Sequence, residues 1–260
     1  MMKKQPMIAL LSPAKTINMD VPLPEVPLTC PAFLREADRL MQELRKFSPG
    51  ELEKVIDISP ELSRLTFERY TRWTLPFTPE NTRPAILAFS GEVYRGLRAG
   101  TFDREELLFA QQHIRILSGL YGLLRPLDMM QAYRLEMGIP LKNERGKDLY
   151  AFWGKRLAEK LVEEMESGAN RVLINLASQE YFKAVGNWDF PYRIITPEFR
   201  EARGDDYRVI TVYAKKARGM MARFLVRNRI TDPEELKHFE EEGYRYYEPF
   251  SGNDTLVFVR

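Results

Sequence analysis

The chain has 260 residues, of which 44% are hydrophobic, 12% aromatic and 29% charged, with a formal net charge of +2. That balance is globular and excludes a disordered, collagen-like or disulfide-stapled chain. One cysteine (Cys30) and two histidines (His113, His238) exclude an internal disulfide and thiolate, zinc-finger, three-histidine zinc and blue-copper sites.

In chain order, 7–11 reads as a short buried strand ended by Ser12-Pro13. Proline-spaced coil (Pro22, Pro24, Pro27, Pro31) leads into helices over 33–47, 49–57 and 60–73. The last two open at Ser48-Pro49 and Ser59-Pro60, each a capping serine followed by proline in the first turn. A strand is expected over 85–89, broken by Gly91. Asp103 caps a helix running to about Leu117, with Glu106 completing a capping box. A long helix spans 147–166, stopped by Gly168. Strands are expected at 171–176, 192–196 and 207–213, a helix at 220–230, a short helix from Asp232-Pro233, and closing strands at 244–247 and 255–259.

No repeat or linker divides the chain, so the expectation is one compact domain over 1–260, with a flexible basic leader at 1–6. Its fold class is mixed α/β (α+β), a mixed sheet with flanking helices. No apolar run approaches the ~18 residues of a membrane span, and no signal-peptide core follows Lys3 and Lys4, which points to a cytoplasmic protein. Neither G-x-G-x-x-G nor a Walker sequence follows any strand. No cofactor and no metal site is assigned, and a monomer is expected.

The charge is segregated. Between Tyr207 and Thr231 lie Arg208, Lys215, Lys216, Arg218, Arg223, Arg227 and Arg229 without one acid. Such a field attracts polyanions despite a small net charge, although a solvated helix face reads the same way. Ser12-Pro13-Ala14-Lys15 matches S-x-x-K, but no S-D-N or K-T-G partner exists, so acyl transfer is set aside; Lys15 remains well placed at a strand end. In 117–128, Gly119 and Gly122 permit a tight turn that exposes backbone N–H groups, followed by Arg125 and Asp128. A helix, a glycine turn and a second helix would grip a DNA phosphate; a plain interhelical turn is the alternative. In 213–219, Lys215 and Lys216 end a strand, Gly219 turns the chain and the next helix offers its N-terminus to an anion. Asn175, Ser178, Glu180 and Lys183 follow another strand, with Ser178 as a helix cap before any nucleophile. Arg134 and Glu136 mix charge with aromatics in 133–138. Basic segments interleaved with aromatics (69–73, Tyr94-Arg95, 150–156) suit phosphate contact and base stacking.

SPAKT (12–16), FSGEVYRGL (89–97), LSGLYGLLRPLD (117–128), YRLEMG (133–138), NLASQEY (175–181) and YAKKARG (213–219) together resemble the YaaA family of bacterial peroxide-stress proteins. The resemblance runs in order from about Ile8 to Val259. It departs at the basic leader and at Glu92, where relatives often carry aspartate. It implies a cytosolic protein that limits damage from unincorporated iron during peroxide stress. It also implies a single α/β domain with a helix-hairpin-helix element and a positively charged cleft for double-stranded DNA. Carried over, the cleft positions are Lys15, Arg125, Asp128, Arg134, Glu136, Asn175, Ser178, Glu180, Lys183, Lys215, Lys216 and Arg218, to which the glycine turn adds Gly119 and Gly122 and the basic run adds Arg223. No demonstrated reaction comes with it.

Three readings result. The first is a stress protein that binds double-stranded DNA, distorted or damaged DNA included, largely without regard to sequence and with steep salt dependence. The second is an enzyme on a nucleotide or damaged nucleobase, glycosylase- or lyase-like, with Lys15, Asp128, Glu136, Glu180 and Lys183 as catalytic candidates. The third is an iron buffer using Glu240, Glu241 and Glu242, which cannot all face one ion from a helix.

Overall fold

The structure, a computed structural model, describes residues 7–166, 171–204 and 206–260; the basic leader and the helix stop expected at Gly168 lie outside the described residues. The chain opens with β1 (Ile8–Leu11), β2 (Thr16–Ile17), α1 (Leu34–Leu44), α2 (Pro49–Ile56) and α3 (Pro60–Arg72). Next come β3 (Arg83–Pro84), one turn of α4 (Ala85–Ala88), β4 (Phe89–Ser90) and α5 (Glu92–Leu97). α6 (Arg104–His113) then passes into β5 (Ile114–Ser118), β6 (Gly122–Leu124) and β7 (Met129–Met130). α7 (Leu149–Trp153), α8 (Arg156–Met165), β8 (Val172–Leu176), α9 (Gln179–Gly186), β9 (Arg193–Arg203), β10 (Asp206–Arg208) and α10 (Thr211–Arg227) follow, and β11 (Arg245–Tyr246) and β12 (Thr255–Val259) close the fold.

Eight strands form one mixed sheet in the order β11-β12-β9-β8-β1-β5-β6, with β10 also on β9. β1 pairs in parallel with β5 and with β8, in register Ala9↔Ile114 and Ile8↔Leu173. All four β1 residues are fully buried, as a strand covered on both faces requires. The helix starts at Pro49, Pro60 and Arg104 are those the sequence predicts. Ser59 Oγ accepts from the Leu62 N–H at 3.3 Å. Ser48 with Glu51, and Asp103 with Glu106, form reciprocal capping boxes. In α1 the buried Ala37, Leu40, Met41 and Leu44 recur at the helical period.

Five expectations are corrected. Residues 85–88 are not a strand: the amides of Ala85 and Ile86 donate to Asp128 O and Pro126 O, and the backbone makes one turn as α4 before Phe89 enters β4. The helix from Asp103 ends at His113, because Ile114–Ser118 is drawn into the sheet beside β1. No helix-hairpin-helix forms over 117–128: β5 and β6 make an antiparallel hairpin, with Leu117 opposite Leu123. The helix over 147–166 is broken at Gly154, whose φ of 51° lies in the left-handed region. The strand over 207–213 stops at Arg208, and α10 begins at Thr211, so 213–219 is helical throughout.

This last correction gives Gly219 a different task from the predicted turn. A Cβ on Gly219 would sit 1.7 Å from Val93 O of α5, and one on Gly96 would sit 2.1 Å from Lys216 O of α10. The helices therefore touch backbone to backbone through a glycine from each, which brings 89–97 and 213–219 together.

Candidate functional site

The chain leaves β1 for β5 on one side and returns to β8 on the other. Such a reversal opens a crevice beyond the carboxyl ends of the strands, the usual ligand position in a sheet of this kind. A cavity of about 510 Å³ occupies it. Its walls come from 12–16 after β1, 90–94 entering α5, 133–136, 176–181 across the β8–α9 junction, and Thr211, Lys215 and Arg218 of α10. Five of the six sequence motifs, scattered over about two hundred residues, thus share one cavity.

At its floor, Ser12 ends β1 and Ser178 caps α9. Ser12 Oγ accepts from the Ser178 N–H at 2.8 Å and lies 3.3 Å from Ser178 Oγ, tying the two strand ends together. Three tyrosines line the cavity, two of them with their hydroxyls spent elsewhere. Tyr94 donates to Ser12 O at 3.1 Å, and Tyr133 shares a 2.7 Å bond with Ser118 Oγ. Burial pushes all three phenols up, and the Glu136 carboxylate adds to this at Tyr133 and Tyr181.

Glu136 is held asymmetrically. Its Oε1 takes Arg134 Nε at 3.1 Å, Arg134 Nη2 at 3.0 Å and Lys15 Nζ at 3.3 Å. Its buried Oε2 has no hydrogen-bond partner. Glu180 Oε1 accepts from the Gly138 N–H at 3.0 Å. On the α10 side, Lys215 is exposed. Arg218 is partly buried, its guanidinium pulled down by desolvation and supported only through space by Glu198. Neither cation hydrogen-bonds or pairs with a described residue.

Of the residues singled out from sequence, Lys15, Arg134, Glu136, Ser178, Glu180, Lys215 and Arg218 line the cavity. Asn175 falls short of it, buried, its Oδ1 accepting from the Ala177 N–H at 3.1 Å. Several others are placed elsewhere. Asp128 is buried, accepting from Thr29 Oγ1 at 2.6 Å and the Arg125 N–H at 2.8 Å, and Arg125 is spent on it and on Cys30 O. Gly119 and Gly122 offer no amides to solvent: both are buried, Gly119 beneath Leu135 O and Gly122 against Trp153. Lys183 lies over the Tyr150 ring at 4.7 Å, outside the cavity. Lys216 pairs with Glu242 at 2.6 Å and Arg223 with Glu241, which also commits one of the three glutamates considered for iron to Lys216 and another to Arg223. Tyr70 and Trp73 are buried, so 69–73 presents no stacking ring. Among the described residues no group of three or more histidine, cysteine, aspartate or glutamate side chains converges to hold a metal.

Tyr94, expected as part of a stacking segment, lines the cavity, and Ser90, Glu92, Tyr133, Gln179, Tyr181 and Thr211 line it without having been singled out as site residues. Five of these six lie within the resemblance motifs, which was the available signal; Thr211 had none.

A family model described as peroxide stress protein YaaA matches residues 7–249. A UPF0246 protein of Burkholderia cenocepacia is 51% identical over 98% of each chain. Another from Burkholderia lata is 50% identical over the same shares, and one from Aromatoleum aromaticum is 49% identical over 98% of this chain and 99% of its own. No helix among the described residues is long and apolar enough to cross a membrane. The chain belongs to the peroxide stress protein YaaA family.

Proposed function

We propose that the protein serves the peroxide-stress response in the cytoplasm by binding double-stranded DNA through this cleft, largely without regard to sequence, and so limits damage from unincorporated iron. The observation that carries the reading is Arg218, a half-desolvated guanidinium in the cavity wall with no described hydrogen-bond partner. A group placed so needs an anion to complete it, and a phosphate matches its fork. Lys215 one turn earlier and Lys15, whose side chain is 68% exposed, extend the positive field to the mouth. Phosphate oxygens are hard ligands that collect iron; a protein covering them denies iron its seat where peroxide does most harm.

The test is fluorescence anisotropy of a labelled duplex with the full chain across a salt series. Removing three phosphate contacts in Lys15→Ala/Lys215→Ala/Arg218→Ala should flatten the log–log salt slope by about 2.7. A salt-independent response of the wild type would refute the reading. A second reading, an enzyme on a nucleotide or damaged nucleobase, is favoured by the 3.3 Å approach of Lys15 Nζ to Glu136 inside a small-molecule-sized cavity. Borohydride trapping of a lysine adduct on damaged DNA separates it from simple binding.

A further inference from the structure

A duplex bound to the cleft lies across its mouth, and the cavity beneath, about 510 Å³, is of a volume that suits a small molecule. The chemistry of the walls says which kind. One wall, from α10, offers Arg218 and Lys215, neither hydrogen-bonded nor ion-paired to a described residue, a seat for a compact anion. The opposite chemistry comes from 133–138 and α9: Glu136 keeps one buried oxygen that receives no donor, while its other oxygen takes three. Native proteins rarely leave such an acceptor unmatched, and an N–H or O–H of a ligand would match it. The surface between is apolar. The hydroxyls of Tyr94 and Tyr133 are engaged by the protein, so these two present ring carbon to the cavity, beside Leu176 and Val93. Anion, flat apolar body and hydrogen-bond donors on one small ligand describe a nucleotide.

We propose that the cavity is a one-nucleotide site, which seats a phosphate on Arg218 and Lys215, a base between the tyrosines and the ligand's donors toward Glu136. This rests on the DNA reading only for where the nucleotide comes from: a unit turned out of bound DNA, or a free mononucleotide. Extrusion costs stacking, least at a mismatched or damaged position.

The experiment has two arms on the full chain. In the first, deoxyadenosine 5′-monophosphate, deoxyadenosine and inorganic phosphate are titrated calorimetrically. The nucleotide should bind at least tenfold more tightly than either fragment. Arg218→Gln should weaken it tenfold or more while leaving deoxyadenosine unchanged, a split that a merely structural role would not produce. Gly91→Leu, whose added side chain starts 3.3 Å from Ala14 Cβ at the cavity wall, should weaken all nucleoside binding. In the second arm, a duplex carries 2-aminopurine at a mismatch. A fluorescence rise on binding, lost in Gly91→Leu, identifies DNA as the source. Nucleotide binding without that rise identifies the free mononucleotide and still supports the site. Nucleotide binding with no duplex binding would overturn the DNA reading alone. No nucleotide binding at millimolar concentration together with no fluorescence change, or nucleotide binding indifferent to Arg218→Gln, would overturn the site.

Discussion

Gly219→Ala provides a sharp test of the packing that builds the cleft. In a helix interior, alanine is ordinarily favoured over glycine by about 1 kcal/mol. Here the new Cβ would lie 1.7 Å from Val93 O and 2.7 Å from Val93 C, both backbone atoms that no rotamer change can move. Restoring ordinary contact requires α5 and α10 to part by well over 1 Å, which breaks the matching approach at Gly96. Overpacking of a tight core typically costs about 1–3 kcal/mol, and a clash with fixed backbone belongs at or above the top of that range. Net of propensity, about 2 kcal/mol should be lost, lowering Tm by roughly 4–8 °C for a domain of this size. Gly50→Ala is the control: Gly50 lies in α2, and a Cβ added there would meet nothing within 4 Å, so the same change should raise stability by about 0.5–1 kcal/mol. Thermal and urea unfolding followed by circular dichroism measure both. If Gly219→Ala melts within a degree of wild type, the backbone contact between α5 and α10 is not what holds the cleft together.

His113 is buried, stacked on Phe109 with its Nδ1 3.0 Å from Met7 O, and burial holds its pKa below the ordinary 6.5. The unfolded chain therefore takes up a proton that the folded one resists: stability is full above about pH 6.5 and falls as the pH drops toward the folded pKa. His113→Gln should flatten the Tm–pH curve between about pH 7 and pH 5, and parallel curves would contradict this. Arg115 and Glu164 pair at 2.6 Å with side chains only 8% and 18% exposed; Glu164→Ala should cost about 3 kcal/mol by stranding the arginine. Lys155 and Glu159, paired at 2.7 Å but mostly exposed, should yield at most about 0.5 kcal/mol to a double-mutant cycle. Tyr70, Tyr94, Tyr121, Tyr133, Tyr181 and Tyr244 all have phenols pushed up, chiefly by burial. Of the twelve tyrosines, no more than six should ionise by about pH 11 while the protein stays native, against all twelve in denaturant; absorbance near 295 nm counts them.

What the sequence disclosed follows from the range of the forces involved. Ser48, Ser59 and Asp103 start helices through bonds made within three or four residues, so their caps could be read directly. The hairpin at 117–128 could not. What decides it is the partner strand β1, the Leu135 carbonyl over Gly119 and the Trp153 ring against Gly122. Gly219 looked like a turn residue because its real constraint is the backbone of α5, far back in the chain. Charge misled for the same reason. Arg125, Lys216 and Arg223 are neutralised by Asp128, Glu242 and Glu241, and only the tertiary structure separates them from Lys215 and Arg218. Thr211 reaches the cavity through the start of α10, two residues before the motif that marks this region.

The proposed function requires that DNA bind where five distant segments converge on one cavity. Hydrogen exchange of the full chain, with and without a saturating duplex at low salt, tests it most directly. Protection should concentrate in 12–16, 90–95, 133–138, 176–181 and 211–218, and fade together as salt rises. Protection confined to other faces, such as α1 to α3 or the β6 edge, with these five segments unchanged, would contradict the account.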